Sequence, residues 1–208
     1  MSIFSRTTTD VPAGSVSTLE FDPATSALAD VTGDYTLDVT HTRIGFSVRH
    51  AMITTVRGQF DDFEGSAHLD LNNPAASSAN VRIKVASVST GQEQRDDHLR
   101  AGDFFDAEVF PEIVFVSTKV AKAGEETLLV TGDLTIKDIT RPVTVEFTVN
   151  GSAKDIYGNV RVGFEGAATI LRKDWGLTYN AALETGGVLI SDKIKLEFDV
   201  SAIAASAV

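Results

Sequence analysis

Residues 160–171 read Val160-Arg161-Val162-Gly163-Phe164-Glu165-Gly166-Ala167-Ala168-Thr169-Ile170-Leu171. Val160, Val162, Phe164, Gly166, Ala168 and Ile170 share one side of a period of two. Successive side chains of an extended strand point to opposite faces, so the stretch is a strand with one apolar face. The other face carries Arg161, Glu165 and Thr169 and suits water. One-sided alternation argues against a doubly wound parallel sheet, whose strands are apolar on both sides.

The pattern recurs in both directions. Ile44, Phe46, Val48 and His50 alternate with Gly45, Ser47 and Arg49; Phe63, Gly65, Ala67, Leu69 and Leu71 alternate with Glu64, Ser66, His68 and Asp70. Val81, Ile83 and Val85 follow, then the more evenly apolar run 113–120. Leu128, Val130, Gly132, Leu134 and Ile136 share a face, as do Val143, Val145, Phe147 and Val149, and lastly Ile194, Leu196, Phe198 and Val200. Turn residues separate them at 71–74, 122–125 and 155–159. The chain is therefore all-β, and so many one-faced antiparallel strands need a second sheet or closure on themselves. Alternation alone does not choose between the two. Glycines inside the strands, among them Gly65, Gly132 and Gly166, mark bends or close approach and weigh toward a barrel.

The 208 residues fit one domain, with 43% hydrophobic and 23% charged residues. Eighteen basic against 29 acidic residues give a net charge of −11. That balance repels a phosphate backbone and an anionic membrane, so no nucleic-acid partner is expected. The absence of cysteine removes disulfides and thiolate chemistry. Met1 to Gly14 lacks a basic segment followed by an apolar run, and no stretch reaches the length of an apolar membrane helix. A cytoplasmic protein without an integral membrane segment is the expectation.

Residues 1–33 are rich in Ser, Thr, Ala and Asp and read as an N-terminal arm or a disordered tail, with a short strand over 17–21. The domain is expected over 34–201, with 202–208 as a tail. The stretch 90–100 lacks the period of two and favours helix, with Thr90 as its cap and Gly102 as its stop. A second short helix is expected over 51–55.

Several residues invite chemistry. Arg95, Asp96 and His98 are types used in acid–base catalysis, but no nucleophile or second carboxylate is marked beside them. They equally suit an Arg–Asp tie between helix and barrel, or donors for a polar ligand group at the mouth of an apolar channel. His41 and His50 lack the convergent partners of a zinc site, so no metal is expected. No phosphate-binding glycine string occurs.

Local strings in order resemble one family. Tyr35-x-Leu37-Asp38-x-x-His41-x-x-Ile44-x-Phe46-x-Val48-x-His50 opens the series, followed by Val56-x-Gly58-x-Phe60. Then come Arg95-Asp96-x-His98-Leu99-Arg100-x-x-Asp103-Phe104-Phe105-Asp106, Gly132-Asp133-Leu134-Thr135-Ile136-Lys137-x-Ile139-Thr140-Arg141-Pro142-Val143, Arg172-x-Asp174-Trp175-Gly176-Leu177 and Ile190-Ser191-Asp192-Lys193-Ile194-x-Leu196. Together they resemble the YceI-like, polyisoprenoid-binding family. The resemblance implies an extended lipocalin-like barrel of eight antiparallel strands with short helical insertions. It also implies a homodimer, no cofactor, no established catalysis, and an apolar channel for an isoprenoid lipid such as a polyprenyl chain or an isoprenoid quinone.

On that resemblance Phe46, Val48, Phe60, Phe63, Phe115, Leu134, Phe147, Phe164 and Phe198 line the channel. His50, Arg95, Asp96, His98 and Trp175 lie at its mouth or hold a head group. The rival readings are an enzyme that uses Arg95, Asp96 and His98 on a hydrophobic substrate, and a filled barrel that works through its outer face or N-terminal arm.

Overall fold

The computed structural model describes residues 31–182 and 187–205; the expected strand at 17–21 lies outside them. Among the described residues the strands, in chain order, are β1 (Gly33–Leu37), β2 (Arg43–His50), β3 (Thr54–Phe60), β4 (Phe63–Leu69), β5 (Ser78–Lys84), β6 (Val88–Ser89), β7 (Glu112–Lys122), β8 (Thr127–Ile136), β9 (Ile139–Lys154), β10 (Val160–Leu171) and β11 (Ile190–Ala204), with one α-helix, α1 (Glu93–Arg100), after β6. All join one antiparallel sheet, which closes because β1 pairs with β11.

Eleven segments make an eight-stranded barrel because three of its strands are broken in the middle. β1 and β2 follow the same edge of β11: Leu37 lies opposite Ala202, and Arg43 opposite Asp199. β3 and β4 continue one another beside them, as do β5 and β6. At the first break side chains replace the ladder. The Thr42 hydroxyl donates to the Ser201 carbonyl at 3.1 Å and accepts from the Ser201 amide at 3.0 Å. Register shifts at Ser117/Lys119 and Gly163/Phe164 add the local bending that closure needs.

Two connections differ from the sequence reading. Residues 51–53 form a tight hairpin turn rather than a helix, with Ala51 and Met52 both in the left-handed region (φ 49° and 63°) and the Ile53 amide bonded to the His50 carbonyl at 3.1 Å. This backbone matches the twist of the flanking strands, and strand pairing enforces it without the usual glycine or asparagine. α1 begins at Glu93, and its cap is Gln92, whose side chain accepts from the Arg95 amide at 2.5 Å. Thr90 is not the cap, because its hydroxyl and amide turn to the Asp96 carboxylate.

β11 continues through Ala204, and Ala202 is buried opposite Leu37. Val31, assigned to the arm, is only 1% exposed and packs in the core.

Candidate ligand-binding site

The inward faces of the strands surround a cavity of about 650 Å³. The barrel is hollow, which removes the filled-barrel alternative. The apolar stripes show how. Leu37, Phe46, Phe115, Phe147, Phe198 and Val200 are only half-buried although they point inward, because their remaining surface faces the lumen.

Glycines keep that lumen open. An added Cβ at Gly58 would come within 2.4 Å of the Phe46 ring, at Gly132 within 2.4 Å of Phe115, and at Gly166 within 2.4 Å of Phe147. Each ring therefore lies over the bare backbone of the neighbouring strand instead of standing across the cavity. Phe147 and Phe198 then meet at 5.7 Å between centroids, and Phe46 and Phe60 at 5.8 Å.

The two ends differ. At one end the wall between β6 and β7 is completed by α1 and its flanking turns, which bring Gln92, Gln94, Arg95 and His98 to the lining beside Arg49 and His50. This is the polar mouth. The other end is packed with Tyr35, Leu69, Val120, Leu128, Val149, Val162 and Phe164.

Arg172, which the sequence reading left out of the site, builds the mouth. Only 3% exposed, its guanidinium donates to the carbonyls of Leu177 (2.6 Å), Tyr179 (2.8 Å) and Ser191 (3.1 Å) and faces Asp192 at 3.3 Å. Burial pulls its pKa down and Asp192 opposes that shift. The chain after Trp175 thereby docks against the start of β11, and Tyr179 stacks edge-on with His98 at 4.8 Å. An arginine in a known motif was the available signal; its three carbonyl partners were not visible to pattern reading.

Of the residues named from sequence, Phe46, Val48, Phe60, Phe115, Leu134, Phe147, Phe164, Phe198, His50, Arg95 and His98 line the cavity. Three lie elsewhere. Phe63 is buried in the wall core beside the break between β3 and β4. Trp175 is not at the mouth: it is 2% exposed and its indole N–H donates to the Leu134 carbonyl at 3.0 Å, fixing the turn after β10 to β8. Asp96 is 7% exposed and turned to Thr90. Arg95 and Asp96 form no pair. Arg95 also binds Thr90, at its hydroxyl (2.7 Å) and carbonyl (2.9 Å), so the two side chains grip one residue.

His98 approaches Asp103 at 3.1 Å and lies edge-on to Phe104 at 5.0 Å. Among the described residues no group of three or more His, Asp or Glu side chains converges on a metal position, and no helix is long and apolar enough to cross a membrane. A charged cluster lies away from the mouth. Asp38 accepts from Thr40, His41 and Arg161, and Arg161 also binds Asp155 at 3.0 Å. Burial alone would raise the Asp38 carboxyl, but hydrogen bonds from Thr40, Arg161 and His41 together hold it well below its ordinary value.

The YceI-like domain pattern matches residues 35–202. The chain belongs to the YceI-like family. A UPF0312 protein of Photorhabdus laumondii is 43% identical over 154 residues, 73% of this chain and 78% of that protein. A UPF0312 protein of Staphylococcus aureus is 36% identical over 165 residues, 79% of this chain and 94% of its own. Among solved structures, BcnA of Burkholderia cenocepacia superimposes with a TM-score of 0.70 at 27% identity, covering 79% of this chain and 98% of that one. The YceI protein of Campylobacter jejuni gives 0.66 at 32% identity, over 83% and 98%. A polyisoprenoid binding domain from Saccharophagus degradans gives 0.64 at 18% identity, over 82% and 98%, a likeness of fold alone. The YceI-like domain is thus the barrel itself, from the buried Tyr35 to Ala202.

Proposed function

We propose that this YceI-like protein binds an isoprenoid lipid, a polyprenyl chain or isoprenoid quinone, without chemical conversion, and shields it for storage or transport. The carrying observation is the hollow barrel, whose lumen is walled by aromatic and aliphatic side chains and whose charged and amide groups gather at one end. Such a site suits a long apolar tail with one polar terminus. Burying each methylene-sized unit contributes about 0.8 kcal/mol, which ordering of the flexible chain partly offsets. A polyisoprenoid binding domain from Saccharophagus degradans shares the fold.

Binding without turnover is the reading that the mouth residues favour. Asp96 and Arg95 are occupied with Thr90, which suits holding a wall segment in place rather than moving protons. A homodimer and a cytoplasmic location belong to the same proposal, and light scattering and cell fractionation check them.

The test is native mass spectrometry of freshly purified protein followed by organic extraction. A retained polyprenyl mass, released stoichiometrically, is expected. Phe46→Asp places a carboxylate in the apolar lumen at a half-buried site and is expected to abolish retention in a folded protein. A wild-type protein that is empty and also refuses isoprenoid quinones overturns the proposal, as does undiminished retention by the folded variant.

A further inference from the structure

The end of the cavity opposite the mouth is lined mostly by buried apolar side chains: Leu69, Val120, Leu128, Phe164 and Ala202, each less than a tenth exposed, beside Ser66 on β4 and Ser77 and Ser78 at the start of β5. Val31, Tyr35, Val149 and Val162 belong to the same packed cluster without reaching the lumen. The wall above is different in kind: Phe46, Phe115, Phe147 and Phe198 keep open surface toward the cavity. Free volume therefore stops at a floor, and the floor is close-packed.

We propose that this floor makes the cavity a chain-length ruler, with Phe164 and Leu128 setting how much of a ligand tail is buried. The inference rests on the isoprenoid reading above and adds a specificity to it. Polar groups of Arg49, His50, Gln92, Gln94, Arg95 and His98 line the mouth, so the polar terminus stays there while the tail enters first and runs toward the floor. Every isoprene unit that fits leaves water and raises affinity by at least several-fold. The unit that meets Phe164 gains nothing further, because it must either stay in water at the mouth or displace a well-packed core. Affinity against length then climbs and breaks.

Phe164 is suited to fix the break. On β10 it is the first inward side chain above Val162, which is 0% exposed, and its ring meets Phe147 edge-on at 6.4 Å. Phe164→Ala removes a six-carbon ring from the floor, about the bulk of one isoprene unit. Phe198→Ala removes the same ring from the side wall and widens the lumen without deepening it.

The experiment offers the full-length protein pairs of prenols of neighbouring length, from farnesol to decaprenol, delivered as cyclodextrin complexes. The bound ratio is read by native mass spectrometry. In the wild type the longer prenol of each pair is expected to win several-fold until one length, after which the ratio falls to unity or below. Phe164→Ala should move that break by one isoprene unit toward longer chains, and Phe198→Ala should leave it in place. Leu128→Ala is the second floor variant, used if circular dichroism shows Phe164→Ala to be unfolded. A preference that rises smoothly to the longest prenol overturns the ruler while leaving isoprenoid binding intact. A break that stays put in a folded floor variant does the same. Uptake of no prenol at any length overturns the isoprenoid reading and the ruler with it.

Discussion

Asp38 stands where the chain leaves β1, and its carboxylate is almost fully subscribed: Thr40 gives its amide and hydroxyl, His41 its ring and Arg161 its guanidinium. Arg161 is shared with Asp155, whose carboxyl feels burial upward but is brought down to about 2 by Asn159, Arg161 and the Tyr157 amide. Both groups are depressed relative to an unfolded aspartate, near 3.9. A depressed folded pKa contributes stability above the unfolded value and loses it as pH falls through the folded one. Urea midpoints should therefore decline on acidification from about pH 4 toward pH 2. Arg161→Met should start lower at neutral pH and decline less, because its removal lets both carboxyls rise toward the unfolded value. An equal acid slope in the two proteins would refute the assignment. Arg172 uses its charge differently: its Nε and Nη1 donors are spent on three backbone carbonyls while Nη2 faces Asp192, so it acts as a bracket for the mouth rather than as a site charge.

Among the elements, α1 is the stretch of wall not written in ladder hydrogen bonds, and it depends on a few side chains instead. Asp96 holds the Thr90 amide at 2.9 Å and also its hydroxyl, Gln92 caps the helix, and Arg100 reaches the Val88 carbonyl at 3.3 Å. Asp96→Ala should free this segment by about 1.5 kcal/mol, seen as roughly tenfold faster amide exchange over 93–100. Exchange in β8, β9 and β10 should not change; uniform acceleration would mean that α1 and the barrel open together. The strands were legible because a period of two survives any reasonable packing, as in 160–171. The 51–53 hairpin was not, since two consecutive left-handed residues there lack the glycine or asparagine that signals them. Phe46 and Phe63 look alike in a stripe, yet one lines the lumen and the other fills the wall. An inward side chain reads the same in sequence whether it faces a neighbour or empty space. Trp175 was misplaced because its partner, the Leu134 carbonyl, is 41 residues away and carries no side-chain signature.

At the scale of the molecule, closure of β1 on β11 makes the sheet continuous around the barrel. The two core clusters also differ in purpose: one packs the upper wall, with Trp175 and Leu177, and the other packs the floor. What binds in the lumen is bound by the folded chain only, so occupancy and stability are linked. The cavity has a mechanical consequence as well. An apolar hollow of about 650 Å³ is space that water avoids and that vanishes when the chain unfolds. Hydrostatic pressure favours whichever state takes up less room, and ordinary domains unfold with a volume change of about −20 to −100 mL/mol. The empty barrel should reach or exceed the large end of that range, and a tail-filled barrel should shrink the change. The single tryptophan, Trp175, is buried against β8 and reports the transition by its fluorescence. An equal volume change for empty and loaded protein would mean that the hollow is already wet. A smaller change on loading would make the pressure dependence of unfolding a direct gauge of cargo.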